Sequence, residues 1–232
     1  MRTWAVIPAR GGSRRLRDKN IRLLNGKPLL AYTLLCAQAY GAFERILVST
    51  DSERIRQEAE QWGGEVPSMR PAELAEDDTP TVAVLVHLLS QFSRAELPDA
   101  ICLLQPTSPL RKPEHIGRAV EMMEDNDVNT VVSVSPPSHH PNWMKTVNNG
   151  FLVPLLTGEK GSRHQDISSV WNLNGALYLV RTQHLLRFQT LLADRSLPLI
   201  MNIEDSIDID TELDFKLAEL LIQERDTNAC VV

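Results

Sequence analysis

The sequence predicts an α/β fold: a mostly parallel sheet flanked by helices. Three observations carry this. Short apolar runs of strand length alternate with amphipathic segments of helix length over most of the 232 residues. The length suits one compact domain that can bury a core without disulfides or structural metal. A glycine-containing basic loop follows the first apolar run directly, at the strand end where open α/β sheets gather ligands.

Thr3–Ile7 is the first strand, and residues 28–40 form the first helix. A strand at Arg45–Ser49 leads into a helix over 52–62, with Thr50-x-x-Glu53 as its capping box. Residues 80–92 are helical and Ala100–Leu104 is an apolar strand. Pro113 suits the first turn of a helix running to residue 125, and Thr130–Ser135 is the next strand. From residue 136 to 169 the alternation breaks. Pro136, Pro137, Pro141 and Pro154 fall here, and Asn148-Asn149-Gly150 reads as a tight turn. A long segment of this kind inside a compact domain is functional or an interaction arm. The alternation resumes with a strand at 175–180, a helix over 182–193, a strand at 199–203 and a helix over 211–225. The chain therefore reads as a single domain, 1–232, with the arm at 136–169 inserted within it.

Composition excludes some classes. A net charge of −6 argues against a nucleic-acid partner. Cys36, Cys102 and Cys230 show neither metal-ligand nor redox spacing, as expected in a reducing compartment. The first apolar run is too short for a signal peptide and no segment approaches membrane-spanning length, so a cytoplasmic location off the membrane is expected.

Three stretches can carry chemistry. The loop Pro8–Asn20 holds Gly11 and Gly12, which let backbone approach a ligand, and the cations Arg10, Arg14, Arg15, Arg17 and Lys19. A triphosphate needs such neutralisation, and arginine forks match phosphate geometry. The loop is neither a P-loop nor a dinucleotide fingerprint, and its plain alternative is a solvated basic turn. Asp208 and Asp210 stand two apart in Ser206–Thr211, so in extended chain they share a face at about 6.5 Å. Together they suit Mg²⁺, while the alternative is that Asp210 or Thr211 caps the last helix. Gln105 follows an apolar strand in a loop stiffened by Pro106 and Pro109. His139 and His140 point opposite ways in extended chain and do not share a metal. No G-x-S-x-G elbow or H-x-x-x-H pair is present.

Five stretches in this order resemble the acylneuraminate cytidylyltransferases, the CMP-sialic acid synthetases. They are Pro8–Asn20, Met69–Leu74, Leu103–Arg111, Asn174–Tyr178 and Asp205–Asp214, and they span nearly the whole chain. The resemblance implies a Rossmann-like fold of the nucleotidyltransferase type with a protruding dimerisation arm, and transfer of CMP from CTP to the anomeric hydroxyl of an acidic nine-carbon sugar, with pyrophosphate released. It places Arg10, Gly11, Ser13, Arg14, Lys19, Asn20 and Thr81 around CTP, and Gln105 and Tyr178 at the sugar. Asp208 and Asp210 match the Mg²⁺ ligands, and Arg10 and Lys19 share the catalytic charge stabilisation with them. The 136–169 arm matches a segment that completes the partner's sugar site in a homodimer.

Arg14 replaces a common lysine, and His164 and Asn172 stand where arginines are common; Arg163 or Lys145 is then left to meet the sugar carboxylate. No residue is identifiable as general base. N-acetylneuraminate is the first expected sugar and N,N'-diacetyllegionaminate the alternative. An octulosonate or pseudaminate-type acceptor, a metal-dependent glycosyltransferase and a non-enzymatic nucleotide sensor are the further readings.

Overall fold

The computed structural model describes residues 1–156 and 169–229. The elements in chain order are β1 (Thr3–Pro8), β2 (Leu23–Leu24), β3 (Lys27–Pro28), α1 (Leu29–Tyr40), β4 (Arg45–Ser49), α2 (Glu53–Gln61), α3 (Thr81–Leu89) and β5 (Ala100–Leu104). They continue with α4 (Pro113–Asp125), β6 (Thr130–Ser135), β7 (Lys145–Asn148), β8 (Phe151–Pro154), β9 (Asn172–Arg181), α5 (Thr182–Phe188), β10 (Ser196–Ile200) and α6 (Glu212–Ala229).

Six strands form one sheet in the order β10-β6-β9-β5-β1-β4. All pairings are parallel except those of β9, which runs antiparallel between β5 and β6. The sheet is covered on both faces, so its strands read as nearly continuous apolar runs. Alternate residues serve opposite layers. Ala5, Ile7, Cys102 and Leu104 pack with Leu34, Ile116 and Met123 of α1 and α4 on one face. Trp4, Val6, Ile101 and Leu103 pack with Leu85, Leu88 and Leu185 of α3 and α5 on the other. A third cluster, with Leu29, Leu110, Ile209 and Phe215, seats α6 against the domain. Cys36 and Cys102 are buried free thiols. Burial pushes the Cys102 thiol up to about 12, as befits a small core residue. Among the described residues no helix is long and apolar enough to cross a membrane.

Several boundaries differ from the sequence reading. The predicted capping box at Thr50 does not form: the Thr50 hydroxyl accepts from the Ser52 amide at 3.2 Å, and α2 starts at Glu53. The helix expected over 182–193 stops at Phe188, where Gln189 turns into the left-handed region at φ 49°. The strand expected at 175–180 starts three residues earlier and is ten residues long. The small β2–β3 hairpin was not foreseen, although Asn25-Gly26 carries positive φ at both positions, the signal of a type I′ turn.

In the arm, β7 and β8 pair around Asn149-Gly150, again with positive φ at both residues, as the tight-turn reading expects. Val147, Phe151 and Leu152 are each about three-quarters exposed on this ribbon. The arm leaves the sheet after Ser135 and the chain re-enters it at Asn172, and these two residues are partners in the β6–β9 register.

Candidate active site

Because five strands run parallel and β9 runs against them, the carboxyl ends of β1, β4, β5, β6 and β10 share one edge with the amino end of β9. The three chemical stretches meet there, around a cleft of about 570 Å³.

The basic loop is pinned at both ends. The Ala9 amide donates to the Ser49 carbonyl at 2.9 Å, and the buried Asn20 donates its side-chain amide to the Arg10 carbonyl at 2.9 Å. Gly11 answers a packing need: a Cβ there would stand 3.0 Å from the Ser52 Cβ. Its amide donates to Asp51 Oδ1 at 2.9 Å, so this amide faces a carboxylate of the protein and not the cleft, contrary to its expected phosphate role. Arg10, Ser13, Arg14, Lys19 and Asn20 do line the cleft, together with Thr81 at the start of α3.

The cations already have partners. Arg10 Nη1 lies 2.7 Å from Asp77 Oδ1, and Arg14 pairs with the other oxygen of the same carboxylate. Lys19 Nζ donates to the Ile209 carbonyl at 2.9 Å and to Asp210 Oδ1 at 3.2 Å, while Arg15 meets Asp210 Oδ2 at 2.9 Å. Asp77 had no role in the sequence reading. Its only clue there was its place in the acidic run Glu73–Asp78.

Asp210 does not cap α6. Thr211 and Asp214 do so reciprocally: the Thr211 amide donates to Asp214 Oδ2 at 2.7 Å, and the Asp214 amide to Thr211 Oγ1 at 3.3 Å. Ile209 is fully buried and its amide donates to the Thr107 carbonyl at 2.8 Å, which turns its two neighbours to the other side of the extended segment. Asp208 remains open to solvent, yet the protein around it displaces enough water to push its carboxyl above the usual range, with the Asp210 charge adding to the effect. Two hard carboxylate oxygens crowded in this way suit a divalent cation such as Mg²⁺. Among the described residues no third His, Cys, Asp or Glu joins them, so phosphate oxygens or water would complete the shell. The segment is anchored by Asp205, which is buried at 2 % exposure; it accepts from Arg225 of α6 and lies 3.1 Å from Lys112 Nζ.

Gln105 lines the cleft, and Tyr178 stands close enough to Asp208 that burial and the Asp208 charge both push its phenol up. Tyr178 and Asp208 are not among the residues that line this cleft. Arg163 and His164 lie outside the described residues. Asn172 is exposed at the first position of β9. Arg70, in the Met69–Leu74 stretch, carries no role in the sequence reading, yet it is 6 % exposed on the cleft wall, held by Ser49. Its burial lowers its guanidinium below the ordinary value, with the Arg10 charge adding and the Asp51 charge opposing.

The profile of the cytidylyltransferase family matches residues 4–211. The chain is 40% identical over 226 residues to a CMP-N,N'-diacetyllegionaminic acid synthase of Legionella pneumophila, covering 96% of this chain and 97% of that one. It is 37% identical over 218 residues to an N-acylneuraminate cytidylyltransferase of Streptococcus agalactiae, of which it spans only 52%. Among solved structures, a CMP:2-keto-3-deoxy-manno-octonic acid synthetase complexed with CTP superposes with a TM-score of 0.74 over 97% of this chain and 100% of that one, at 18% identity. That likeness concerns the fold. With the family profile covering the sheet, the basic loop and the aspartate pair, the chain belongs to the cytidylyltransferases, enzymes of nucleotidyl transfer.

Proposed function

We propose that this chain couples CTP to a nonulosonic acid. The carrying observation is the contact of Lys19 with Asp210, which joins the phosphate loop to the aspartate segment at the cleft. The anomeric hydroxyl oxygen of the sugar attacks the α-phosphorus of CTP; the bond from that phosphorus to the β-phosphate bridging oxygen breaks, and pyrophosphate leaves in line. The hydroxyl proton is lost to solvent or phosphate, and no side chain is assigned to it. Arg10, Arg14 and Lys19 bind the phosphates and offset their charge, and Arg70 and Thr81 line the nucleotide side. Asp208 and Asp210 would hold Mg²⁺, which when bound supplies charge neutralisation at the phosphates. Gln105 and Tyr178 orient the sugar.

The end-to-end likeness to the Legionella enzyme supports N,N'-diacetyllegionaminate as the sugar, with N-acetylneuraminate, the first choice from sequence, as the second reading. The exposed apolar ribbon of the arm supports a homodimer in which each arm reaches its partner's sugar pocket, with Arg163 among the residues it brings. The buried free thiols Cys36 and Cys102 are consistent with a cytoplasmic location. Pyrophosphate release with CTP, Mg²⁺ and a panel of nonulosonic and octulosonic acids tests the reading. Release with one of the nine-carbon acids is expected; activity on a nucleotide sugar without pyrophosphate release would replace it by glycosyl transfer.

A further inference from the structure

Arg111 is a buried guanidinium, 4 % exposed, whose hydrogen-bond partners are all neutral. Its Nη1 donates to the Gln105 carbonyl at 3.3 Å and also to the Ala176 carbonyl, and its Nη2 donates to Thr33 Oγ1 at 2.9 Å. Thr33 Oγ1 in turn donates to the Gln105 carbonyl at 3.4 Å. The thiols of Cys36 and Cys102 complete the surroundings, and Arg111 Nε finds no partner. A charge buried among neutral groups is a poor way to fill a core, since an apolar side chain of similar volume is cheaper to desolvate. What the guanidinium does offer is a rigid fork that grips several oxygens at once.

The oxygens it grips belong to two neighbouring backbones, and Gln105 of one of them lines the cleft. Gln105 directly follows β5, and Ala176 lies in the middle of β9. Immediately before Ala176, Gly175 holds φ at +74°, and a Cβ there would stand 3.2 Å from Gln105 Oε1. The Gln105 side chain thus lies against the Gly175 backbone, and one nitrogen of Arg111 fixes how far apart the two segments are. We propose that Arg111 is a positioning residue for the acceptor sugar, acting through Gln105 and Gly175, and that it leaves CTP binding alone. The nucleotide side of the cleft, at Arg10, Arg70 and Thr81, rests on other anchors, Asp77 and Ser49 among them. The sugar assignment in this inference rests on the function proposed above.

The test compares Arg111→Met, Arg111→Lys and Thr33→Val with the wild type. Melting temperature establishes folding, calorimetry gives CTP affinity, and steady-state kinetics gives KM for N,N'-diacetyllegionaminate and N-acetylneuraminate. Arg111→Met is expected to raise the sugar KM by about tenfold or more while CTP affinity stays within about twofold; Arg111→Lys should fall between, and Thr33→Val should shift the sugar KM in the same direction by less. Equal losses for CTP and sugar, or an unchanged sugar KM in folded variants, would overturn the role. Should Arg111→Met fail to fold, Thr33→Val carries the test alone. The ¹⁵N side-chain amide signal of Gln105 provides a readout independent of turnover: it should be a single sharp pair in the wild type and shift or broaden in each folded variant. An unmoved Gln105 signal refutes the positioning role even if no sugar proves to be a substrate, whereas absence of turnover in the wild type with a shifted Gln105 signal refutes only the proposed function.

Discussion

Lys19 and Asp210, separated by 191 positions in sequence, meet with Nζ 3.2 Å from Oδ1. The ammonium that should face a triphosphate and a carboxylate that should face its metal therefore neutralise each other until ligands take their places. Arg10, Arg14 and Asp77 repeat this arrangement on the other side of the loop.

Replacing Asp208 or Asp210 by Asn should lower turnover by orders of magnitude with little change in melting temperature, because each change removes an anionic metal ligand. Pyrophosphate release at limiting Mg²⁺ is the measurement. Near-wild-type rates in both variants would end the metal assignment.

Asp77→Asn should tighten CTP binding by about threefold to tenfold. It removes an anion that competes with phosphate for Arg10 and Arg14, and exposed pairs of this kind are worth about 0.2–1 kcal/mol each. Arg10→Ala should weaken CTP binding. Calorimetry on both variants gives the signs, and looser binding in Asp77→Asn would mean that Asp77 holds the arginines in place for the nucleotide.

His115 should make stability depend on pH. Its Nδ1 accepts from the Lys112 amide at 3.1 Å and its Nε2 lies 3.6 Å from Asp205. Burial pushes its pKa below the ordinary histidine value, with the Asp205 charge opposing. A depressed folded pKa means the unfolded chain takes the proton more readily. The associated stability is present above the ordinary value of about 6.5 and is lost as pH falls below it. His115→Gln keeps an acceptor for the Lys112 amide and cannot titrate, so melting curves from about pH 7.5 to about pH 5.5 should fall more steeply for the wild type. Parallel curves would show that His115 is not a source of the dependence.

Asn172→Arg should change the ratio of kcat/KM for N-acetylneuraminate and N,N'-diacetyllegionaminate more than it changes CTP affinity. A charge-assisted hydrogen bond to a sugar carboxylate is worth about 1.5–3 kcal/mol, roughly ten- to hundredfold in efficiency. If both sugars respond in parallel, position 172 lies outside the sugar pocket.

Leu152→Asp, facing Val147 across the β7–β8 ribbon, should shift the protein from dimer to monomer and raise the sugar KM. Sedimentation velocity and kinetics check this together. A wild-type monomer at micromolar concentration would remove the arm from the active site.

The strands buried on both faces were the most legible part of the chain: Ala100–Leu104 is a continuous apolar run, Thr130–Ser135 is rich in valine, and the ends of both fall where predicted. What was missed depends on partners distant in sequence. Nothing local tells that Asp77 will sit on Arg10, or that Asp210 will go to Lys19 while Thr211, one of the two caps the sequence offers, closes α6 with Asp214. The antiparallel course of β9 is equally silent, because a strand paired on both sides carries the same apolar pattern in either direction. The β2–β3 turn is different: Asn25-Gly26 announced it locally.

The register pair Ser135–Asn172 has one more consequence. Whatever lies between these residues begins and ends at a single rung of the sheet, so its ends are already closed and its length is nearly free to vary; doubling such a loop costs only about 0.6 kcal/mol of chain entropy. Topologically, the segment is an exchangeable cassette. Transplanting the equivalent stretch of a relative between Ser135 and Asn172 would leave the phosphate loop and the aspartate pair in register; under the function proposed above, such an exchange would alter the acceptor side alone.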